Sequence, residues 1–361
     1  MNVVYRTEHT IADLHAFVDL ELTIWGLAAR DAVPANLLHT VTKNGGVLIG
    51  AYTESRAQPI GLAFGFPARR GNRWLLWSHM TGVHPQFQRQ GIGLELKRRQ
   101  RQWALDNGFT QMRWTFDPLQ AGNAHFNLSL LGARADRYHV DYYGEMGDSI
   151  NAHLPSDRVE AVWDLRSAET EHSAAPESPP NADCFILRAG PNGRPILGST
   201  TAGHPDRLCA EIPAHLDLAQ DDQAALWRLA LRSALQPALE RGFVISGFRR
   251  HSGRCWYVLS APQPWFMYVL ECADGSLYTG TAKNPARRIA QHNAGHGAAY
   301  TAARRPVRCL GVWRFLTQAD ALRAEVAFKR QSRAQKRLWL ESGQQFEGGV
   351  FERDLPTAPS N

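Results

Sequence analysis

The stretch Trp265-Phe266-Met267-Tyr268-Val269-Leu270-Glu271-Cys272-Ala273-Asp274-Gly275-Ser276-Leu277-Tyr278-Thr279-Gly280 holds two short apolar runs split by an Asp-Gly turn. That pattern predicts a β-hairpin, because Asp-Gly supplies the backbone conformations a tight turn needs between two strands. Both runs place a tyrosine, Tyr268 and Tyr278, in similar register. Tyrosine is a good strand former, so two of them on a hairpin read first as packing residues.

The residues downstream of the hairpin change that reading. Lys283-Asn284-Pro285-Ala286-Arg287-Arg288 leads into a helix carrying Arg288 and His292, whose spacing of four puts both side chains on one face. Farther on, Thr317-Gln318-Ala319-Asp320 resembles a capping box, and the helix it opens bears Glu325. Hydrolysis of a phosphodiester requires a cation for the phosphate, a carboxylate for a divalent metal and a group that activates water. The segment supplies each of these in elements that can converge.

This order of residues is similar to that of the GIY-YIG nuclease superfamily: Tyr268 in the first half-motif, Tyr278 and Gly280 in the second, then Arg288, His292 and Glu325. The text ECADGSLYTG, RRIAQHN and ALRAEVAFK resembles the small single-domain bacterial members, and the resemblance runs from Trp265 to about Glu341. It implies a short sheet flanked by helices over residues 264–345, with a tail over 346–361. It also implies a DNA endonuclease dependent on Mg²⁺ or Mn²⁺. Tyr268 would help deprotonate the attacking water, directly or through His292. Glu325 would ligate the metal, Arg288 would stabilise the phosphorane charge, and Tyr278 would position water or phosphate. The half-motifs read Met-Tyr-Val and Tyr-Thr-Gly rather than the name-giving letters. Thr281 stands where some repair nucleases carry a lysine, so that role is not carried over.

Charge placement agrees with a nucleic-acid partner. The formal net charge is +6; from Trp265 onward there are 14 Lys+Arg against 8 Asp+Glu, and the rest of the chain is balanced at 26 against 26. The whole excess therefore sits in the C-terminal quarter, where it can draw a phosphate backbone by counterion release. Among its cations, Arg304, Arg305, Lys329, Arg330, Lys336 and Arg337 read as solvated faces or phosphate contacts rather than catalysts.

Upstream, Ala261-Pro-Gln-Pro264 marks a boundary, and Ser167–Asp183, rich in Pro, Ser, Ala and Glu without hydrophobic period, reads as a linker. Before it, Val47–Tyr52, Pro59–Phe66 and Trp74–Val83 read as strands, Ile92–Asn107 as a helix and Gln111–Phe116 as a further strand. Asp222–Arg241 reads as a helix that ends at Gly242, with short strands at Phe243–Phe248 and Arg254–Ser260.

Between strand and helix lies Gly82-Val-His-Pro-Gln-Phe-Gln-Arg-Gln-Gly-Ile-Gly93. Its Gln-x-x-Gly-x-Gly core opens a helix, where backbone N–H groups point outward at the positive end of the dipole and form an anion site. Gly91 and Gly93 let the backbone approach a phosphate without a Cβ in the way. The segment resembles the pyrophosphate-binding motif of the GNAT acyltransferase superfamily, with Val83, Gln88, Arg89, Gln90, Gly91, Ile92 and Gly93 in its register. Asn123 falls where that family places an Asn near the coenzyme A arm. SHMTGVHP, TFDPLQAGNAHFN, YYGEM and LPSDR look like one branch of GNAT acyltransferases.

The resemblance implies a mixed sheet flanked by helices over residues 1–166, an accessory α/β segment over 184–261 that resembles an incomplete second half, and transfer of an acyl group from acetyl-CoA or another acyl-CoA to a small amine. An amine must be neutral to attack, so a base, an acid for the departing thiolate and donors for the oxyanion are needed. Tyr143 is the candidate acid, with Tyr142 beside it, and His79 or Glu145 the candidate base; His79 also reads as a strand histidine hydrogen-bonded beside a core. Asp117 and His125 lie near the same expected cleft, or cap the turn.

The whole is therefore an α/β and α+β multidomain chain. No apolar run approaches the roughly 20 residues of a membrane span, and the start lacks a basic flank followed by an apolar block. Five scattered cysteines form no CxxC pair, which argues against a zinc site or a disulfide framework and for a reduced, cytoplasmic protein. Three readings are open. One is a bifunctional enzyme, a second is an acyltransferase whose basic domain only binds nucleic acid, and the third is a pair of binding scaffolds. The complete Tyr/Tyr/Arg/His/Glu set favours the first.

Overall fold

A computed structural model describes residues 2–54, 58–144, 154–167, 180–198, 207–216, 223–262, 264–315, 318–346 and 349–352. The chain divides into two compact units, Met1–Ala261 and Pro262–Asn361.

In the first unit the elements run β1 (Val3–Arg6), α1 (Ile11–Trp25), α2 (Ala35–Lys43), β2 (Val47–Thr53), β3 (Gly61–Arg70), β4 (Arg73–Val83), α3 (Ile92–Asp106), β5 (Gln111–Phe116), α4 (Ala121–Ala124), β6 (Arg134–His139), β7 (Arg158–Asp164), β8 (Phe185–Ala189), β9 (Pro195–Leu197), β10 (Arg207–Ile212), α5 (Ala224–Glu240), β11 (Val244–His251) and β12 (Arg254–Ser260). A π-turn over His125–Leu130 continues α4. The strands form one mixed sheet in the order β1-β2-β3-β4-β5-β7-β6-β11-β12-β10-β8-β9.

Two irregularities shape this sheet. First, β4 and β5 run parallel but pair only at Leu76↔Met112 and Trp77↔Arg113, so among the described residues the upper ends of both strands lack each other as partners. Second, Phe64 pairs with Met80 while Gly65 pairs with Ser78, which leaves His79 as an extra residue in β4. Such a bulge re-aims side chains. Met80 packs into the core beneath α1 and α2, and the His79 ring lies against Phe64 and Phe66 of that same core. Both therefore face away from α3.

α3 covers the other face with a stripe of Ile92, Leu96, Lys97, Gln100 and Ala104. Its spacing of four with one step of three is that of a buried helix face. The stripe includes a lysine and a glutamine, whereas Trp103 and Leu105, read from sequence as part of the apolar set, are only half-buried.

β6 and β11 share a single pair, Ile245↔Ala135, so backbone bonds contribute little where the sheet passes from residues 1–166 into 184–261. Side chains make the join: Tyr257 and Arg250 donate to the Pro118 and Ala121 carbonyls at 2.6 and 2.8 Å, and α5 adds two arginines. Arg228 donates twice to Asp117 at 2.7 Å, and Arg232 holds Asp157 at 2.9 and 2.7 Å. Asp117, read from sequence as a cleft residue or turn cap, accepts from Leu119 N at 2.8 Å and is buried between Arg228 and, at 3.8 Å, Arg158. Breaking a buried pair from one side costs about 3–5 kcal/mol, because the remaining charge stays buried.

The second unit runs β13 (Trp265–Cys272), β14 (Leu277–Ala282), α6 (Pro285–Asn293), α7 (Ala299–Ala302), β15 (Val307–Phe315), α8 (Gln318–Lys329), α9 (Arg333–Ser342) and β16 (Gly349–Glu352). Its sheet has the order β14-β13-β15-β16, with β13 and β14 forming the expected hairpin about Asp274-Gly275. β16 lies in the stretch read from sequence as a tail, yet it pairs antiparallel with β15 and brings Phe351 onto Trp313. One face of this sheet packs Tyr268, Leu270 and Val312 against Ile289 of α6, and the other packs Met267, Val269 and Trp313 against Ala321, Ala324 and Phe328 of α8. Thr317, the first residue of the expected capping box, lies outside the described residues, as does most of the expected linker.

Candidate active sites

Tyr268 stands on β13, a strand bonded on both sides, and is 1% exposed. Gly280 is its direct partner on β14. A Cβ at residue 280 would lie 2.6 Å from the Tyr268 hydroxyl, so the last residue of the Tyr-x-Gly half-motif must be glycine for this hydroxyl to fit. Tyr278 borders the same space: its ring centroid is 5.0 Å from that of His292 and 6.4 Å from that of Tyr268.

α6 begins at Asn284, whose side chain accepts from Arg287 N at 2.9 Å, with Pro285 in the first turn. Asn293 anchors its far end by exchanging two bonds with Val307, at 2.7 and 3.1 Å. Between these fixed ends, Arg288 and His292 share the face expected from their spacing. The Tyr268 hydroxyl lies 3.1 Å from His292 Nε2. Burial, then Tyr278, push the Tyr268 pKa up to about 12, Glu325 adding to the rise while Arg288 opposes it. Burial first and then the Arg288 charge lower the His292 pKa. At neutral pH the site thus holds a protonated phenol beside a neutral imidazole.

The five residues picked from sequence are brought together: Arg288 and Glu325 both act on the Tyr268 hydroxyl that bonds His292. Glu325 projects from α8 and receives the Lys329 ammonium at 2.5 Å. Among the described residues no cluster of three His, Cys, Asp or Glu forms a metal cage. A single hard carboxylate beside an arginine fits Mg²⁺ or Mn²⁺, ions that keep most of their waters and share the rest of the shell with phosphate. Several surrounding cations are engaged by carboxylates, Arg304 by Asp274 and both Arg308 and Arg337 by Glu271. Arg330 and Lys336 are exposed or half-exposed.

Sequence reasoning did not find Thr301, Tyr300 or Gly297. Thr301 Oγ1 is 2.6 Å from His292 Nδ1, and Tyr300 stacks on Tyr278 at 6.3 Å. They sit in Gly297-Ala-Ala-Tyr-Thr-Ala302, a small-residue stretch with no charge or period to flag it.

In the first unit, the loop after β4 places Gly91 at the N-terminus of α3 with φ +81°, and nothing lies within 4 Å of where its Cβ would be. Arg89 is also in the left-handed region at φ 61°. Gln88 donates to the Val83 carbonyl at 3.1 Å and closes the loop on itself. Gly93 has ordinary backbone angles, and its Cβ would meet only Val83 and Phe126 at 3.7 Å or more. Ile92 is buried beneath, so the loop presents backbone to open space, a fit for the pyrophosphate of an acyl-CoA. Gln90 and Asn123 are exposed on the loop and on α4.

His79 is solvent-accessible, yet the protein around it penalises its charged form and lowers its pKa. The Tyr143 hydroxyl lies 3.1 Å from Thr115 Oγ1. Thr115 alternates along β5 with Trp114, which turns toward Lys97 of α3, so Tyr143 shares the sheet face of His79. Among the described residues no hydrogen bond or ring contact joins Tyr143 to the loop 88–93 or to Asn123. The Tyr142 ring lies tilted against His139, centroids 4.9 Å apart, and Glu145 lies outside the described residues. All five cysteines are free, and no helix among the described residues is long and apolar enough to cross a membrane.

Residues 264–338 match the GIY-YIG catalytic domain family. A UPF0213 protein of Cupriavidus pinatubonensis is 51% identical over 78 residues, covering 22% of this chain and 87% of that protein. A UPF0213 protein of Lacticaseibacillus paracasei is 49% identical over 84 residues, 23% of this chain and 94% of that protein. Among solved structures, the ribosomal-protein-S18-alanine N-acetyltransferase from Escherichia coli is similar at TM-score 0.37 and 13% identity, covering 47% of this chain and 98% of that one. A GNAT family acetyltransferase from Elizabethkingia anophelis with acetyl-CoA bound is similar at TM-score 0.34 and 15% identity, covering 45% and 98%.

Proposed function

We propose, from the premise that this chain belongs through its C-terminal unit to the GIY-YIG family, that residues 264–345 form a metal-dependent endonuclease acting on DNA, joined to an acyl-CoA-dependent N-acyltransferase. The observation that carries the nuclease reading is the Tyr268–His292 bond at 3.1 Å, with the Tyr278 ring 5.0 Å from the imidazole and 6.4 Å from the Tyr268 ring.

In this reading Tyr268 Oη takes a proton from the attacking water as its own proton passes to His292 Nε2, so the water oxygen reaches phosphorus as hydroxide. The lowered pKa of His292 keeps its ring neutral and ready to accept. Arg288 balances the charge that builds on the phosphate, and Tyr278 orients phosphate or water. Mg²⁺ or Mn²⁺ held by Glu325 would supply electrophilic stabilisation of that charge. The basic surface holds the strand by counterion release, which makes binding salt-dependent.

For the first unit, the backbone at Gln88–Gly93 and Asn123 would bind the acyl-CoA, with backbone near Val83 polarising the thioester. The amine nitrogen forms the new bond to the acyl carbon, the carbon–sulfur bond breaks, His79 receives the amine proton and Tyr143 protonates the thiolate. The observation behind this is the open backbone cradle at Gly91.

The test is to incubate the protein with branched, nicked and single-stranded DNA, with Mg²⁺, Mn²⁺ or EDTA. Cutting that EDTA abolishes supports the nuclease. Binding without cutting under every condition overturns it in favour of an acyltransferase with a nucleic-acid-binding domain.

A further inference from the structure

Thr301 carries an assignment that none of the five motif residues supplies. It lies on the short helix α7 and is fully buried, as is His292. Its Oγ1 makes two short contacts: to the Ala298 carbonyl at 2.9 Å and to His292 Nδ1 at 2.6 Å. A carbonyl oxygen only accepts, and a hydroxyl has one proton. If that proton pointed at Nδ1, the hydroxyl and carbonyl oxygens would face each other at 2.9 Å with no hydrogen between them. In the structure the hydroxyl donates to Ala298, a carbonyl that also takes the Thr301 and Ala302 amides at 3.0 Å, and with the proton placed there Nδ1 is the donor to Thr301.

A neutral imidazole carries one N–H, so the other nitrogen, Nε2, is left with its lone pair free, aimed at the Tyr268 hydroxyl 3.1 Å away. The chain closes around this side of the ring: a Cβ at Gly297 would fall 2.2 Å from Nδ1, which leaves no room for water to take over the role of Thr301.

We infer that Thr301 is a positioning residue of the nuclease site, fixing His292 in the Nδ1–H tautomer so that Nε2 accepts the proton leaving Tyr268. The inference rests on the nuclease reading for its consequence, though not for its geometry. The proton path balances: one proton moves from water to Tyr268 Oη and one from Tyr268 Oη to His292 Nε2. The resulting imidazolium keeps its Nδ1–H on Thr301. With the opposite tautomer, Nε2–H would point at the Tyr268 hydroxyl and could receive nothing.

The experiment combines two readouts on the full chain. Selective ¹⁵N-histidine labelling with long-range ¹H–¹⁵N correlation reports which ring nitrogen is protonated, and the His292 signal is assigned by its loss in His292→Gln. Single-turnover cleavage of a labelled DNA is measured alongside DNA binding for the native protein, Thr301→Val and Thr301→Ser. The expected result is an Nδ1–H signature in the native protein and in Thr301→Ser, replaced by a mixed or Nε2–H signature in Thr301→Val. Cleavage falls at least about tenfold in Thr301→Val with binding unchanged, and stays within about threefold in Thr301→Ser. An Nε2–H signature in the native protein overturns the inference, as does a Thr301→Val variant with native signature and native rate. Should Thr301→Val fail to fold, the native signature and the serine variant still decide. An Nδ1–H signature that depends on the hydroxyl, in a protein that cuts no DNA, upholds the tautomer lock and removes the nuclease reading instead.

Discussion

Replacing Gly280 with alanine perturbs the nuclease site by one methyl group, and its effect can be worked from the packing. The added Cβ would lie 2.6 Å from Tyr268 Oη, 2.9 Å from its Cζ and 3.2 Å from Tyr278 Cε1, where ordinary contact begins at 3.4 Å. The Tyr268 ring must retreat by about 0.8 Å, and overpacking of this kind costs about 1–3 kcal/mol. The ring is walled in by Tyr278 and His292, and its strand is paired on both sides, so the retreat falls on the 3.1 Å bond to His292. A catalytic group misplaced by about 1 Å loses about 100-fold in rate. For a unit of this size each kcal/mol moves the melting point by about 4–8 °C. The assay is single-turnover cleavage together with thermal melting. A variant that cuts within about threefold of the native rate and melts unchanged would refute the close packing of Gly280 on Tyr268.

Two further predictions concern the first unit. Gly93→Leu adds bulk to the loop from a Cβ at ordinary contact distance, 3.7 Å or more, from Val83 and Phe126 and without backbone strain, so it should weaken acetyl-CoA binding at least about tenfold by calorimetry, with thermal melting checking that the fold is kept; unchanged affinity would remove the loop as a pyrophosphate site. Lys97, 2% exposed, has its ammonium 2.8 Å from Ser78 Oγ and 3.8 Å from the Trp114 ring centroid, and burial brings its pKa down from 10.5 to about 7. Because the folded value lies below the unfolded one, the destabilisation is complete below pH 7 and fades as pH rises toward 10.5. The difference is worth at most about 5 kcal/mol, and the hydroxyl and ring contacts offset part of it. Lys97→Met should therefore stabilise the unit by about 1–3 kcal/mol at pH 6, with a smaller gain at pH 10, in urea denaturation. An equal loss at both pH values would contradict this.

Local pattern carried much of the fold. β2, β4, α3 and β5 lie within one or two residues of their sequence reading, because each is a compact periodic run closed by a turn residue. β10 was not legible, since Glu211 breaks its apolar run; that carboxylate is buried because Arg254 from β12 holds both its oxygens at 2.7 and 2.8 Å. β8 and β9 were missed because both are very short, and β16 because four residues after a helix give too little pattern. Asp117 looked like a cleft residue for a related reason: its partner Arg228 is 111 positions away, and no local rule connects them. The nuclease residues were legible because their types and spacing are themselves the signal. Thr301 was not, because the partners of its hydroxyl, the Ala298 carbonyl and His292 Nδ1, are brought to it by the fold alone.

The central claim is that the C-terminal unit cuts DNA through a metal held by Glu325. Its most direct test is Glu325→Gln, which keeps the shape of the side chain and removes its charge. DNA binding and single-turnover cleavage should be followed across a Mn²⁺ titration. The account predicts native binding with cleavage reduced by at least about 1,000-fold at every metal concentration, the loss expected when a transition-state interaction disappears without a change in ground-state binding. Cleavage at the native rate with the native metal dependence would contradict it and place the metal, and with it the chemistry, elsewhere.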